Sequence, residues 1–382
     1  MNTNNQNALH FPREIPVGGH YRLWLLLGEV GAVLREVQAA ALPPAEAAEV
    51  EERHLLRCAR AIAASNGNPL TENELSDVLK RAEGSGFEET PREREILNVV
   101  RACHGLVAAT RKFTVPKFNT DYLGRINATV LDGLELPDGE AAGSVRSGEV
   151  EGMGLPAAQC RLALESLCSW LDSETFAAEG AEMQGIAGIL RALMAHVYLL
   201  RIRPYADGNA RTARLAELFL LMKSGIPCPA ALCLSGHYTA TRTRFMQEVA
   251  DLESAGDTAR WDGFFIYALE GWRTTLRTLL ADIREHQLRA AWRLHVEGHF
   301  RNSPTEKTGT RRRDLLLSLP AEPTPIAGFA DIPQAVFYTH YRHKNLRTLS
   351  RDLAELVQCG LLESTRKGYR PRRESARLWG IR

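Results

Sequence analysis

The stretch Arg203-Pro204-Tyr205-Ala206-Asp207-Gly208-Asn209-Ala210-Arg211-Thr212-Ala213-Arg214 joins two strongly apolar segments. Before it, Ile186, Ile189, Leu190, Leu193, Val197 and Leu200 recur at helical spacing over 184–202; after it, a helix is expected from about Arg211 to Lys223. Gly208 and Asn209 tolerate the dihedrals of a tight turn. The first N–H groups of the following helix have no intrahelical partner and face the turn, which suits an anion. Arg211 and Arg214 stand three residues apart on one side of that helix. Asp207, at the mouth, is placed to hold a hard divalent cation that bridges phosphates. A plain helix–helix turn, with Asp207 as a cap and two solvated arginines, satisfies the same spacing. Spacing alone leaves both readings open.

Outward from this stretch the pattern stays helical. Leu23, Leu26, Leu27, Val30, Val33, Leu34 and Val37 form one apolar face over 21–37. Leu42-Pro43-Pro44 breaks the chain before a second helix from about Ala45 to Ala64, and Ser65-Asn66-Gly67-Asn68-Pro69 is turn chemistry. Thr71 and Glu74 have the spacing of a capping box. Helices follow near 91–112, 119–133 and 157–171, with a Gly-rich loop or small hairpin over 136–155. Strand-like alternation is almost absent before residue 300, so the first three-quarters reads as all-α.

The last 75 residues differ. Short helices are expected at 313–319, 332–338 and 346–359, with Gly360 stopping the third. A hairpin then runs through Leu361-Leu362-Glu363-Ser364 and Thr365-Arg366-Lys367-Gly368-Tyr369-Arg370, with the glycine at its turn. Three helices followed by a basic hairpin is the winged helix-turn-helix pattern. From Tyr341 to Arg382 there are eleven Lys/Arg against four Asp/Glu, a local +7 that leaves −6 for the rest of a +1 chain. Such asymmetry points to an anionic partner for the tail.

Apolar residues make up 45% and charged residues 24%, the balance of a soluble globular protein. No uninterrupted apolar run nears the roughly 18 residues of a membrane span, and the Asn-rich start lacks a signal-peptide core. Seven cysteines at 58, 103, 160, 168, 228, 233 and 359 include no CxxC pair. Reduced thiols and a cytoplasmic protein are expected, with no membrane partner.

The 203–214 stretch resembles the Fic signature HPFx(D/E)GNGRxxR, matching at Pro204, Asp207, Gly208, Asn209, Arg211 and Arg214, with Tyr205 for Phe. His196-Val197-Tyr198-Leu199-Leu200 upstream, Leu234-Ser235 and Arg242 downstream, and Trp261-Phe264-Phe265 beyond are also similar to that family. The resemblance implies a mainly α protein: a helical region at 1–112, a helical Fic (Fido) domain at 113–290 and a winged helix-turn-helix at 291–382. It further implies that Asp207 holds Mg²⁺, that Gly208, Asn209 and Ala210 line a phosphate site, and that Arg211 and Arg214 contact the phosphates of ATP. In the family, the signature histidine deprotonates a target hydroxyl that attacks the α-phosphate.

This sequence departs from that pattern at the histidine itself. Arg203 stands there, and a guanidinium stays protonated and offers no acceptor. Ala210 replaces the second loop glycine and is expected to crowd a phosphate or resist a positive φ. Phe245-Met246 and His237 replace tyrosines near the nucleotide base. The family's inhibitory motif (S/T)xxxE(G/N), sought near 45–68, has Ile62 and Asn66 at its Ser/Thr and Glu positions. Ala142-Gly143-Ser144-Val145-Arg146-Ser147 occupies the place of the target-docking flap without its apolar strand. His196, seven residues before Arg203, reads as a packed core histidine.

Three functional readings result, the last a scaffold with neither ligand nor DNA. One is a pseudoenzyme that binds a nucleotide or another anion and regulates, through DNA contacts from Arg347, Arg351, Arg366, Lys367 and Arg370. Another is an active protein adenylyltransferase using ATP and Mg²⁺ on an unidentified protein target. The winged helix could instead serve packing in a homodimer.

Overall fold

The structure is a computed structural model that describes residues 9, 11–84, 86–150, 154–255, 261–301 and 305–379. The helices are α1 (Tyr21–Ala39), α2 (Pro44–Ala64), α3 (Glu72–Ala82), α4 (Pro91–Thr110), α5 (Thr120–Val130), α6 (Ala157–Leu171), α7 (Ala181–Ile202) and α8 (Asn209–Lys223). They continue with α9 (Cys228–Ala231), α10 (Leu234–Ala240), α11 (Arg242–Ala255), α12 (Trp261–Phe300), α13 (Glu306–Ser318), α14 (Gln334–Val336) and α15 (Leu346–Gln358). Among the described residues the strands are β1 (Leu362–Thr365) and β2 (Gly368–Pro371), paired antiparallel. The mainly helical expectation holds.

The chain divides into two compact units, one of residues 1–40 and 47–281, the other of 41–46 and 282–382. In the first, α7 packs along α8, and α4 and α5 also lie against α8. A helix covered on all sides has no polar face to spare. Accordingly, every α8 residue from Arg211 to Met222 is buried. By length and composition α7 could cross a membrane, yet 72% of its apolar window is buried inside this unit, as in a core helix.

Local chemistry sets the ends. Thr71 accepts from Glu74 N while the Glu74 carboxylate accepts from Thr71 N, and Thr90 repeats this box with Glu93 ahead of Pro91. In the second unit, Leu315, Leu316, Leu349, Leu353, Leu356 and Tyr341 form a core. A single π turn at Phe337–Tyr341 replaces part of the helix expected over 332–338. The hairpin turn falls at Arg366-Lys367, with Gly368 opening β2 opposite Thr365. Gly368 has φ +128, and a Cβ there would lie 2.2 Å from the Thr324 carbonyl oxygen. The glycine is needed for a close backbone crossing rather than for the turn.

Candidate phosphate-loop site

α7 ends on Arg203, whose φ of 48 is the sole positive value at a non-glycine among the described residues. Arg203 N still donates to the Leu199 carbonyl at 3.0 Å, so the residue closes the helix in the left-handed region. A long side chain is strained there. Pro204 and Tyr205 turn inward, and Asn209 locks the turn: its Oδ1 accepts from Tyr205 N at 3.0 Å and its Nδ2 donates to Tyr205 O at 2.6 Å. Gly208, at φ 74, caps α8, which begins at Asn209, two residues earlier than the periodicity indicated. Ala210 therefore lies in the first helical turn with no positive φ, and the expected backbone strain at Ala210 does not arise.

Thr212 N is bonded to Gly208 O at 2.8 Å, so the N–H groups of Asn209, Ala210 and Arg211 precede the first helical bond. Asp207 Oδ1 accepts from Gly208 N at 2.6 Å, and Oδ2 pairs with Arg211 Nη2 at 3.1 Å. The other arm of Arg211 donates to Glu95 on α4 at 2.6 Å. Glu95 is itself fixed by the amides of Asn66 at 3.1 Å and Asn68 at 2.8 Å. Arg211 is thus a buried cation between two carboxylates.

Arg214 turns elsewhere. It donates to the carbonyls of Ala61 and Ser235 and to Thr239 Oγ1, and lies over the rings of Tyr238 and Phe245. Burial pushes its pKa down, with Glu217 pulling it part of the way back, and among the described residues no carboxylate lies within ion-pair distance of it. The two arginines, placed together by spacing, have separate partners. Asn66, where the resemblance places a glutamate, donates to Glu95 instead, and the Glu95 bond to Arg211 was not foreseen.

Two other residues missed from sequence hold the loop. Asn127 on α5, fully buried, donates to Asp207 O at 3.0 Å and Thr212 Oγ1 at 3.1 Å, and accepts from Gly143 N at 2.9 Å. Arg146 donates from Nε to Arg203 O at 2.8 Å, and its backbone N donates to Pro204 O at 2.9 Å. The 142–147 segment is therefore stapled to the site as a loop, without a strand among its described residues. The only prior signal for Asn127 was an amide inside a helix, where such a residue needs a reason.

His196 lies in the core, 3.2 Å from Glu217, which also accepts from Tyr238 Oη at 2.9 Å. It does not face the loop mouth in place of Arg203. Burial raises the Glu253 carboxyl above its ordinary pKa, and Arg201 and Arg203 pull it part of the way back. Phe245 packs between Tyr238 and His196, whereas Met246 is exposed. Among the described residues the buried Tyr205 hydroxyl has no hydrogen-bond partner. An unsatisfied hydroxyl costs stability, so Tyr205→Phe is expected to stabilise the N-terminal unit by about 1–2 kcal/mol, read as a higher urea midpoint at unchanged slope.

In the second unit Arg347, Arg351, Arg366 and Lys367 are exposed, and no carboxylate pairs with them among the described residues. Arg370 differs: it is paired with Glu363 at 2.7 Å and Glu374 at 2.8 Å, leaving it engaged within the hairpin. Beneath this face Asp352, fully buried, pairs with Arg311 at 2.6 Å and Arg312 at 2.9 Å and accepts from Tyr341 at 3.0 Å.

Fold and site together define a helical domain with a tight loop at the start of its buried helix α8. The Fic/DOC family matches residues 117–221, which span that loop. Protein adenylyltransferase fic-1 of Caenorhabditis elegans is 38% identical over 64 residues, 17% of this chain and 11% of that protein, so the chain aligns with only a small part of that relative. A Fic family protein from Desulfovibrio desulfuricans G20 has the same fold, with a TM-score of 0.57 at 16% identity over 94% of this chain and 98% of that one. Fic-1 of C. elegans (residues 134–508) gives 0.57 at 19% identity over 69% and 73%. The chain carries a segment, residues 117–221, that matches the Fic/DOC family.

Proposed function

We propose that this Fic protein has lost its transfer step and acts as a regulator, binding a nucleotide or similar anion on the 207–214 loop and DNA through its C-terminal unit. The observation that carries the reading is Arg203 at the closing position of α7, where the family signature has histidine. A guanidinium cannot accept the proton of a target hydroxyl, and losing general-base assistance lowers rate by about 10²–10⁴-fold. The pairing of Arg211 with Glu95 and Asp207 works against tight binding there, since an incoming phosphate must compete with two carboxylates.

What remains still suits an anion. The first N–H groups of α8 face the turn, and Asp207 is half-exposed. Among the described residues no three ligating side chains cluster for a metal. The half-exposed Asp207 carboxylate fits a cation such as Mg²⁺ brought in on phosphate oxygens, with Asp207 as its protein ligand. Such an ion would neutralise phosphate charge; Asn209 and the helix N-terminus would orient the phosphates.

The similarity to a protein adenylyltransferase favours the second reading, residual transfer of AMP to a target hydroxyl. Nucleotide titration with and without Mg²⁺, followed by transfer from α-labelled ATP, separates the two. Binding without incorporation is expected. Incorporation abolished by Asp207→Ala would overturn the regulator reading, and absence of binding would remove nucleotide as the ligand.

DNA contact rests on the four unpaired cations and predicts a steep salt dependence. Each phosphate contact contributes about 0.9 to the slope of log K against log salt, so Arg366→Ala with Lys367→Ala should reduce it by up to about two. An unchanged slope would move the contact off the hairpin.

A further inference from the structure

Away from the 203–214 loop, the N-terminal unit holds a cavity of about 180 Å³ between the second half of α2, the α9–α10 corner and α12. A dry cavity of about 150 Å³ accepts a single aromatic ring, which sets the size of molecule this one admits. Its lining is mainly apolar, and its rim includes the exposed Gly236 and Thr278. Lining hydroxyls are committed: Thr275 Oγ1 donates to the carbonyls of Gly271 and Trp272, and Thr278 Oγ1 to that of Thr274. Arg57, the cation on the wall, is paired with Glu72 at 3.2 Å. A charged guest would find no counter-ion, so the space suits a neutral one.

The reactive chemistry sits in the wall. Cys233 Sγ lies 3.7 Å from His54 Nδ1 and 3.2 Å from the Pro229 carbonyl oxygen, with both side chains buried against the cavity. A cysteine beside an imidazole can pass its proton across and react as thiolate. Cys58 also lines the cavity but meets the Cys103 thiol rather than an imidazole. The 203–214 loop uses neither Cys233 nor His54.

We propose that this cavity is a covalent capture site for a small neutral electrophile of the α,β-unsaturated carbonyl class, with Cys233 as nucleophile and His54 as proton acceptor. The Cys233 proton swings from the Pro229 carbonyl to His54 Nδ1, in the tautomer that carries its hydrogen on Nε2. The sulfur lone pair forms a bond to the β-carbon, and the C=C pair moves toward the carbonyl as an enolate. His54 then returns its proton to the α-carbon. The net step is addition, with no leaving group and no oxidant. No residue of the 203–214 loop lines this cavity.

The test treats the full-length protein with N-ethylmaleimide under native conditions and maps adducts by peptide mass, using the exposed Cys359 as the reference thiol. Cys233 should be labelled in the wild type, and His54→Gln should lower the Cys233-to-Cys359 ratio at least about tenfold. A polymer-linked maleimide should label Cys359 and spare Cys233. In the wild type the ratio should rise as the pH is lowered, because imidazole assistance keeps Cys233 nucleophilic where an unassisted thiol is protonated. An unlabelled Cys233, a ratio unmoved by both His54→Gln and pH, or equal labelling by the small and polymer-linked reagents would overturn the proposal.

Discussion

Asp352→Ala is expected to destabilise the C-terminal unit by about 3–5 kcal/mol, the cost of removing one partner from a buried ion pair. Asp352 is fully buried and receives Arg311, Arg312 and Tyr341 at once. Removing it leaves Arg311, itself almost fully buried, without a counter-charge. Arg312 is less affected, because Glu355 lies 3.8 Å from it. Chemical denaturation followed by Trp292 fluorescence, a core residue of this unit, reads the loss. The double variant Arg311→Met with Asp352→Leu removes both charges and should regain much of the stability. A single variant within about 0.5 kcal/mol of wild type would mean that the cluster is hydrated rather than buried.

The same carboxylate sets an acid limit. Burial alone would raise the Asp352 pKa, but hydrogen bonds from Arg311 and Arg312 outweigh it and hold the group below its ordinary value. A depressed pKa means that the unfolded chain binds the proton first. The stabilisation is therefore complete above the unfolded value of about 4 and is lost as pH falls through the lower folded value. In Asp352→Ala that part of the acid transition should disappear.

Elements built on local rules were legible in the sequence. The apolar stripes placed α1, α7 and α15, the Thr71 box opened α3, and Gly360, at φ +72, follows α15 as expected. Thr90 and Glu93 carried the same box signature and could have been read equally well. The partners of Arg211 and Asp207 could not. Glu95 is 116 residues from Arg211, and Asn127 is 80 from Asp207. Polar pairs at such separations leave no period in a sequence, because their chemistry is fixed only once α4, α5 and α8 pack. Spacing put Arg211 and Arg214 on one side of a helix but could not show that both would be buried with different partners. Motif resemblance located the loop, and packing determined what its side chains touch.

That distinction bears on repair of the loop. Arg203→His with Ala210→Gly restores the signature, and transfer from α-labelled ATP is expected to rise by about 10²–10⁴-fold, the range of general-base assistance. Histidine also accepts the left-handed backbone at position 203 more readily than arginine does. Asn66 brings no carboxylate to Arg214, so no N-terminal deletion should be needed. Glu95 still holds Arg211, however, and adding Glu95→Gln should tighten ATP by about 1.5–3 kcal/mol, the range for hydrogen bonds to charged groups. If the triple variant binds ATP yet transfers nothing, the loss extends past the loop, first to Phe245 and Met246, where the family's tyrosine pair is absent. If it neither binds nor transfers, the anion of this loop is not a nucleotide, and Glu95 with Asp207 closes Arg211 for structural reasons alone.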